Sequence, residues 1–278
     1  MKNCTSRARF ATLSLALGTA LSAHAQLQLQ DQVITASRVA TPVTDVIADV
    51  SIIDRATLDL AGQSSLRDVL AQQAGVQIVS SGSYRSNTSI FLRGAVTSQT
   101  IVLVDGVRVG SATSGGASLE NMPLDRIERI EILRGATSAL YGPDAVGGVI
   151  QIFTRQASQG LEASANIGVG TDGQQQAGAS VRGTSGALGY SLGVSREKAS
   201  GISAVSIPAS GSYNPDDDGF EATSVDAKLT ARINREHALS LSVLHSDTNY
   251  LLDSTPFPNP LNLSKFTTDA RAKSGLNH

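Results

Sequence analysis

Asp216-Asp217-Asp218-Gly219 sets alternating carboxylates in a polar stretch, and such oxygen donors suit a hard cation such as Ca²⁺. The run echoes the start of a calcium loop but lacks the later glutamate, so a solvated acidic turn is the competing reading. Beyond residue 25 the chain has three histidines, His237, His245 and His278. The first two are eight positions apart, about 26 Å along a strand, which is too far to share a metal. No nucleophile elbow or phosphate loop is present, and Gly142 to Gly148 leads from a turn into a strand rather than into a helix. Nothing here reads as an enzyme. The stretch Asp31-Gln32-Val33-Ile34-Thr35-Ala36-Ser37-Arg38 offers a different chemistry. It contains no proline, and alternate side chains can seat in pockets, so it can add an edge strand to a partner through main-chain hydrogen bonds. A frayed tail is the other reading of these eight residues.

The elements that would position these residues begin with an export signal over residues 1–25. Lys2, Arg7 and Arg9 precede a short run of apolar and small residues, Phe10 to Leu21, and Ala23-His24-Ala25 fits a cleavage site. The run is about 12 residues, short of the ~20 that a spanning helix needs. Cleavage there removes Cys4, the single cysteine, and takes the formal charge from −2 to about −5. The mature chain then has no thiol chemistry and no basic excess to attract nucleic acid.

Residues 26–45 lack a helical period and read as an extended, mobile arm. Residues 46–155 read as a small α+β domain. Val50 to Ile53 is a strand. Ser64 or Ser65 caps a helix that presents Leu66, Val69 and Leu70 on one face, and Gly75 stops it. Val76 to Val79, Ser89 to Leu92, Thr100 to Val104, Ile127 to Leu133 and Gly148 to Thr154 are further β runs. Asp105-Gly106 is a hairpin signal returning through Val107-Arg108-Val109, and a short helix runs through Ala139-Leu140-Tyr141.

From residue 161 the apolar period becomes two. Leu161 to Val169, Ala177 to Val181, Leu188 to Val194, Val225 to Ile233 and Leu239 to Val243 alternate apolar with polar or glycine, giving five strands. The links at 184–187 and 234–237 are short, whereas those at 197–219 and 246–265 are long and polar. Short turns on one rim and long loops on the other is the pattern of an outer-membrane barrel. A soluble β domain, hence a periplasmic or secreted binding module, is the alternative. Five strands cannot close in lipid, so further strands are expected beyond His278.

Several segments carry a family resemblance. Asp31 to Arg38 resembles a TonB box. Ser89-Ile90-Phe91-Leu92-Arg93-Gly94, Val102-Leu103-Val104-Asp105-Gly106-Val107-Arg108, Ile130-Glu131-Ile132-Leu133-Arg134-Gly135 and Ser138-Ala139-Leu140-Tyr141-Gly142 leading to Ala145-Val146-Gly147-Gly148-Val149-Ile150 resemble plug-domain signatures. Together they cover residues 31–155 in order and are similar to the TonB-dependent outer-membrane receptors, above all the cobalamin-importing members. The similarity extends to Asn214-Pro215-Asp216-Asp217-Asp218-Gly219-Phe220 and Thr248-Asn249-Tyr250. It implies a plug followed by the first strands of an antiparallel transmembrane β-barrel, in the outer membrane of a Gram-negative bacterium. It implies TonB as partner through residues 31–38, and cobalamin or a related corrinoid as substrate. A ferric siderophore or other metal chelate is the neighbouring possibility. Substrate contacts carry over to Asn87, Ser89, Val96, Ser114 and Gly115, with Val96 standing where a polar residue is usual. Loop-ordering Ca²⁺ carries over to Asn214, Asp216, Asp218 and Tyr250, while Ser203 and Leu251 stand where aspartates are usual. Arg93, Arg134, Glu128 and Glu131 are expected to pair with charges of a surrounding barrel wall.

Overall fold

The computed structural model describes residues 32–33, 35, 41–42, 47–60, 65–80, 85–110, 115–117, 119–203, 217–234, 237–254 and 268–277. Residues 1–25, expected to be an export signal, and Asp31, Ile34, Ala36, Ser37, Arg38, Ser114, Asn214 and Asp216 fall outside them.

Two short strands, β1 (Gln32–Val33) and β2 (Thr41–Pro42), pair antiparallel. The plug follows. Its five-stranded sheet contains β3 (Asp49–Ile53), β6 (Thr100–Val104), β7 (Val107–Val109), β8 (Ile127–Arg134) and β9 (Gly148–Thr154), in the spatial order β3-β8-β9-β6-β7. Only the β6–β9 pair is parallel; the others are antiparallel. A separate hairpin joins β4 (Val76–Ser80) to β5 (Thr88–Leu92). Every residue of β6 is buried, because the sheet carries apolar packing on both faces. Val102 and Val104 join Ile130, Ile132, Ile150 and Ile152 in one core. Ile101 and Leu103 join Leu133 and Val149 in the other, with Tyr141 packed against it.

The helices follow from their caps. Helix α1 (Arg55–Leu60) begins after Asp54, whose Oδ1 accepts the Thr57 N–H at 2.8 Å. The sequence reading missed this helix, since six residues with Leu58 as the one buried member show no period. Helix α2 (Leu66–Ala71) is capped by Ser65, whose hydroxyl accepts the Asp68 N–H at 3.2 Å, and it buries Leu66, Val69 and Leu70. Gly75, at φ 72, turns the chain away into β4. Asp105 and Gly106 both have positive φ, 48 and 86, as a two-residue turn that follows the twist of its strands requires. A third helix, α3, spans Ser138–Tyr141.

The remaining strands form one six-stranded antiparallel sheet in sequence order: β10 (Leu161–Val169), β11 (Gln175–Ser185), β12 (Leu188–Ile202), β13 (Asp218–Arg232), β14 (Ala238–Ser254) and β15 (Thr268–Asn277). This corrects the expectation of five strands. Thr268–Asn277 alternates Asp269, Arg271 and Lys273 with small residues and has no apolar stripe to betray it. The strands also invade the expected loops: β12 reaches Ile202, β13 starts at Asp218 and β14 reaches Ser254. Backbone ladders continue where the outward positions turn polar, so the apolar alternation ends before the pairing does. Spans of 15 and 17 residues for β13 and β14 exceed the ~9–11 that a tilted strand needs to cross lipid.

One face of this wall is apolar and exposed: Ile167, Leu192, Val194, Val225, Leu229, Leu239, Leu241 and Val243 all point away from the plug. A continuous exposed patch of this kind is a membrane or partner surface. The opposite face is small and hydroxylic, with paired hydroxyls such as Ser224 and Ser246, 2.8 Å apart. No helix among the described residues is long and apolar enough to cross a membrane, which says nothing of strands.

Candidate functional site

Three groups of residues form the working parts. The first surrounds Thr35, in the stretch that resembles a TonB box. Thr35 is fully buried; its N–H and its Oγ1 both donate to Glu131 Oε2, at 2.9 and 2.6 Å. The Tyr141 hydroxyl donates to the Thr35 carbonyl at 2.8 Å, and Arg129 Nε lies 2.9 Å from Glu131 Oε1. All the polar groups of one threonine, main chain and side chain, are thereby satisfied inside the plug. Within the stretch expected to be an extended arm, Gln32–Val33 pair with Thr41–Pro42 and Thr35 is tied to β8. Glu131, expected to pair with wall charges, here receives Thr35 and Arg129 of its own domain.

The second group fastens plug to wall, and sequence reasoning found little of it. Arg126 Nε lies 2.8 Å from Asp226 Oδ1, and its Nη2 donates to the Ala179 and Val194 carbonyls at 3.1 and 3.2 Å. Gly193 leaves the room for this, since a Cβ there would collide with the guanidinium. Lys228 Nζ reaches Asp105 Oδ2 at 2.9 Å, and the other oxygen of Asp105 accepts the Thr154 N–H. Thr248 Oγ1 donates to Asn121 Oδ1 at 2.7 Å. Of the four charges expected to meet the wall, Glu128 does so at 4.0 Å from Arg182. Arg134 and Arg93 instead bind Asp49 within the plug. These partners lie 44 to 85 positions apart in the chain, so no local pattern announces them.

The third group sits where the plug apex meets β12–β14. Arg85, at φ 58, is paired with Glu197, donates to the Glu120 carbonyl and lies 5.6 Å from the Phe220 ring centroid. The Asn87 main-chain amide meets the Tyr250 hydroxyl. Phe220 and Tyr250 are register partners, and Asp218, 2 % exposed, is one pleat along on the same inner face. The structure therefore brings Asn87, Asp218 and Tyr250 to one end of the wall. Asp218 is a strand residue, not the loop residue expected. Ser89 and Val96 are exposed on the plug, and Gly115 is exposed at φ 70. Along β13, then, inward-facing Phe220, Asp226 and Lys228 each grip a different part of the plug.

The comparisons with known proteins agree with this architecture. The model of the TonB-dependent receptor plug domain matches residues 42–149. The vitamin B12 transporter BtuB of Photobacterium profundum is 38 % identical over 216 residues, covering 77 % of this chain and 35 % of that protein. Its counterpart in Vibrio vulnificus strain YJ016 is 42 % identical over 151 residues, 54 % of this chain and 25 % of that protein. The chain thus spans about a third of the length of such relatives. Among solved structures, the siderophore receptor PirA of Acinetobacter baumannii superposes with TM-score 0.61 at 23 % identity, over 74 % of this chain and 32 % of that one. The pyoverdine receptor FpvA of Pseudomonas aeruginosa superposes with TM-score 0.66 at 16 % identity, over 79 % and 30 %. At such identities these two show the fold alone. By the first of these matches residues 42–149 are a TonB-dependent receptor plug domain, and the chain as a whole is similar to proteins of the TonB-dependent outer-membrane receptor family.

Proposed function

We propose that the protein is the plug-bearing part of an active importer that carries cobalamin or a related corrinoid across the outer membrane. The observation that carries this reading is the 38–42 % identity to vitamin B12 transporters. A ferric-chelate receptor is less well supported, because the siderophore receptors match at 23 % identity or below. The relatives are transporters and receptors, so the chemistry is binding and gating, not catalysis.

In this reading substrate rests on the plug apex, at Asn87, Ser89, Val96, Ser114 and Gly115. Residues 31–38 engage TonB by strand addition once Thr35 leaves Glu131. Ca²⁺ would be held by Asp218 and Tyr250 with Asn214 and Asp216 of the adjoining segment. The fit rests on donor chemistry: carboxylate, amide and phenol oxygens suit this hard cation, and Asp218 and Tyr250 share one inner face. A bound ion would fix the outer segments before substrate arrives.

The test is uptake by cells that lack their own cobalamin receptor. Labelled cobalamin should enter cells expressing the wild type and not those carrying Ile34→Pro, which removes a backbone donor from the coupling strand. Surface binding should persist in both. Uptake of a ferric chelate without cobalamin binding would move the protein to the siderophore class.

A further inference from the structure

The outward face of β12 changes chemistry along its length. Leu188, Leu192 and Val194 are exposed and apolar, and the next two outward positions are Arg196 and Lys198. The ladder sets Ala177 opposite Arg196 and Gln175 opposite Lys198, then Ile167 opposite Ala177 and Val169 opposite Gln175. These six side chains line one groove of about 360 Å³ on the surface away from the plug. Ile167 and Val169 are 88 % and 85 % exposed, so none of the described residues covers the apolar half. Across the other edge of β12, Arg196 Nη2 lies 2.5 Å from Glu221, which the ladder also sets opposite Lys198. Two cations thus have one carboxylate beside them, leaving the groove net positive.

Position along the wall says what such a groove meets. It lies at the rim away from the tight turns after Ser185 and Arg232, where the apolar belt ends. A cation on the lipid-facing surface is costly at mid-membrane and nearly free at the interface, where it meets headgroups. The guanidinium offers paired N–H donors that match phosphate oxygens, and the lysine adds a second charge. Apolar residues directly alongside match a hydrocarbon chain, a pairing that free phosphate has no use for.

We propose that this groove holds one anionic, phosphate-bearing lipid of the leaflet at that rim. Its phosphate sits between Arg196 and Lys198, and an acyl chain lies along Ile167, Val169 and Ala177. This rests on the membrane placement of the wall and not on the identity of the imported substrate.

The experiment uses receptor purified from outer membranes and stripped of lipid by detergent exchange. Dilauroyl phosphatidic acid is titrated in, and bound lipid is counted by native mass spectrometry. Dilauroylglycerol, with the same chains and no phosphate, and inorganic phosphate, with no chains, are the comparison probes. Wild type should retain one phosphatidic acid and bind both other probes far more weakly. The pair Arg196→Gln and Lys198→Gln should weaken retention about 30-fold, each cation near an anionic group contributing roughly fivefold. Ile167→Ser should weaken it severalfold, and Glu221→Gln, which removes the competing carboxylate, should tighten it. All four substitutions lie on the exposed face, and an unchanged unfolding temperature in lipid-free detergent confirms intact receptor. Equal retention by the double variant, equal binding of dilauroylglycerol, or phosphate binding as tight as the lipid would each overturn the proposal. A receptor that imports a ferric chelate instead of a corrinoid would give the same lipid result, so the two readings fail separately.

Discussion

Thr35 and Glu131, 96 positions apart, are joined by two hydrogen bonds to a single carboxylate oxygen, one from the threonine amide and one from its hydroxyl. Hydrogen bonds to a charged group contribute about 1.5–3 kcal/mol each when buried. Thr35 rests in the plug until something outcompetes those bonds. Glu131→Ala should therefore loosen it in the substrate-free receptor. A cysteine at Val33 should react with a maleimide at least tenfold faster in the Glu131→Ala background than alone. Equal rates would mean that the β1–β2 pairing, not the carboxylate, holds the segment.

Gly193 and Arg126 give a second prediction. The guanidinium occupies the space a Cβ at Gly193 would need, and its charge is matched by Asp226. Breaking a buried pair by removing one partner costs about 3–5 kcal/mol, because the other charge stays buried. Asp226→Ala should lower plug stability by an amount near that range. Gly193→Ala should cost about 1–3 kcal/mol by displacing the guanidinium. Combined with Arg126→Ala, the Gly193→Ala penalty should largely disappear, since both act on one contact. Limited proteolysis of the plug against denaturant reads all three, and full additivity would show that Arg126 is not what Gly193 accommodates.

Asp54 supplies a pH dependence. The Thr57 hydroxyl and then its N–H hold the Asp54 carboxyl below the usual carboxylate range, outweighing a small opposing effect of burial. A carboxyl with a depressed folded value stabilises the fold above its unfolded value and loses that contribution as pH falls through the folded one. Asp54→Ala should cost about 1 kcal/mol at pH 7, the usual loss of a helix N-cap. The difference from wild type should shrink as pH falls below about 4. Equilibrium unfolding at pH 7 and pH 3 checks the sign; a constant difference would assign the loss to backbone geometry rather than charge.

Much of the plug is legible residue by residue. Ser65 with Leu66, Val69 and Leu70 states a capped helix and its buried face, and Asp105-Gly106 states a turn that needs two positive φ values. Those signals are local. The wall is legible only where lipid demands apolar side chains, which is why β14 reads as Leu239 to Val243 and in fact runs to Ser254. Of the plug–wall contacts described, little is legible beyond Glu128, which is expected to meet a wall charge and meets Arg182. Asp105 and Lys228 are 123 positions apart, and nothing near either residue distinguishes it from a solvated charge. Asp105 even has a sufficient local role in its turn, which hides the long-range one.

The last prediction joins Asp218 and Tyr250 to substrate binding. Asp218 is buried on the inner face of β13, and Tyr250 on β14 meets the main chain of Asn87 at the plug apex. An ion held there would restrain the chain around Asp218 and Tyr250 before substrate binds, so less ordering entropy would oppose association. Calcium should then tighten cobalamin binding, and cobalamin must tighten calcium binding by the same factor. Asp216→Asn with Asp218→Asn keeps side-chain size and removes two charges, so the calcium effect should vanish while weak calcium-free binding remains. Tyr250→Phe removes one oxygen and should reduce the effect without abolishing it. The measurement is a cobalamin titration of purified receptor with calcium and with chelator, and calcium titrations with and without cobalamin. Calcium-independent affinity in the wild type would remove the metal assignment and leave the importer. A calcium effect that survives Asp216→Asn with Asp218→Asn would show that calcium acts elsewhere on the receptor.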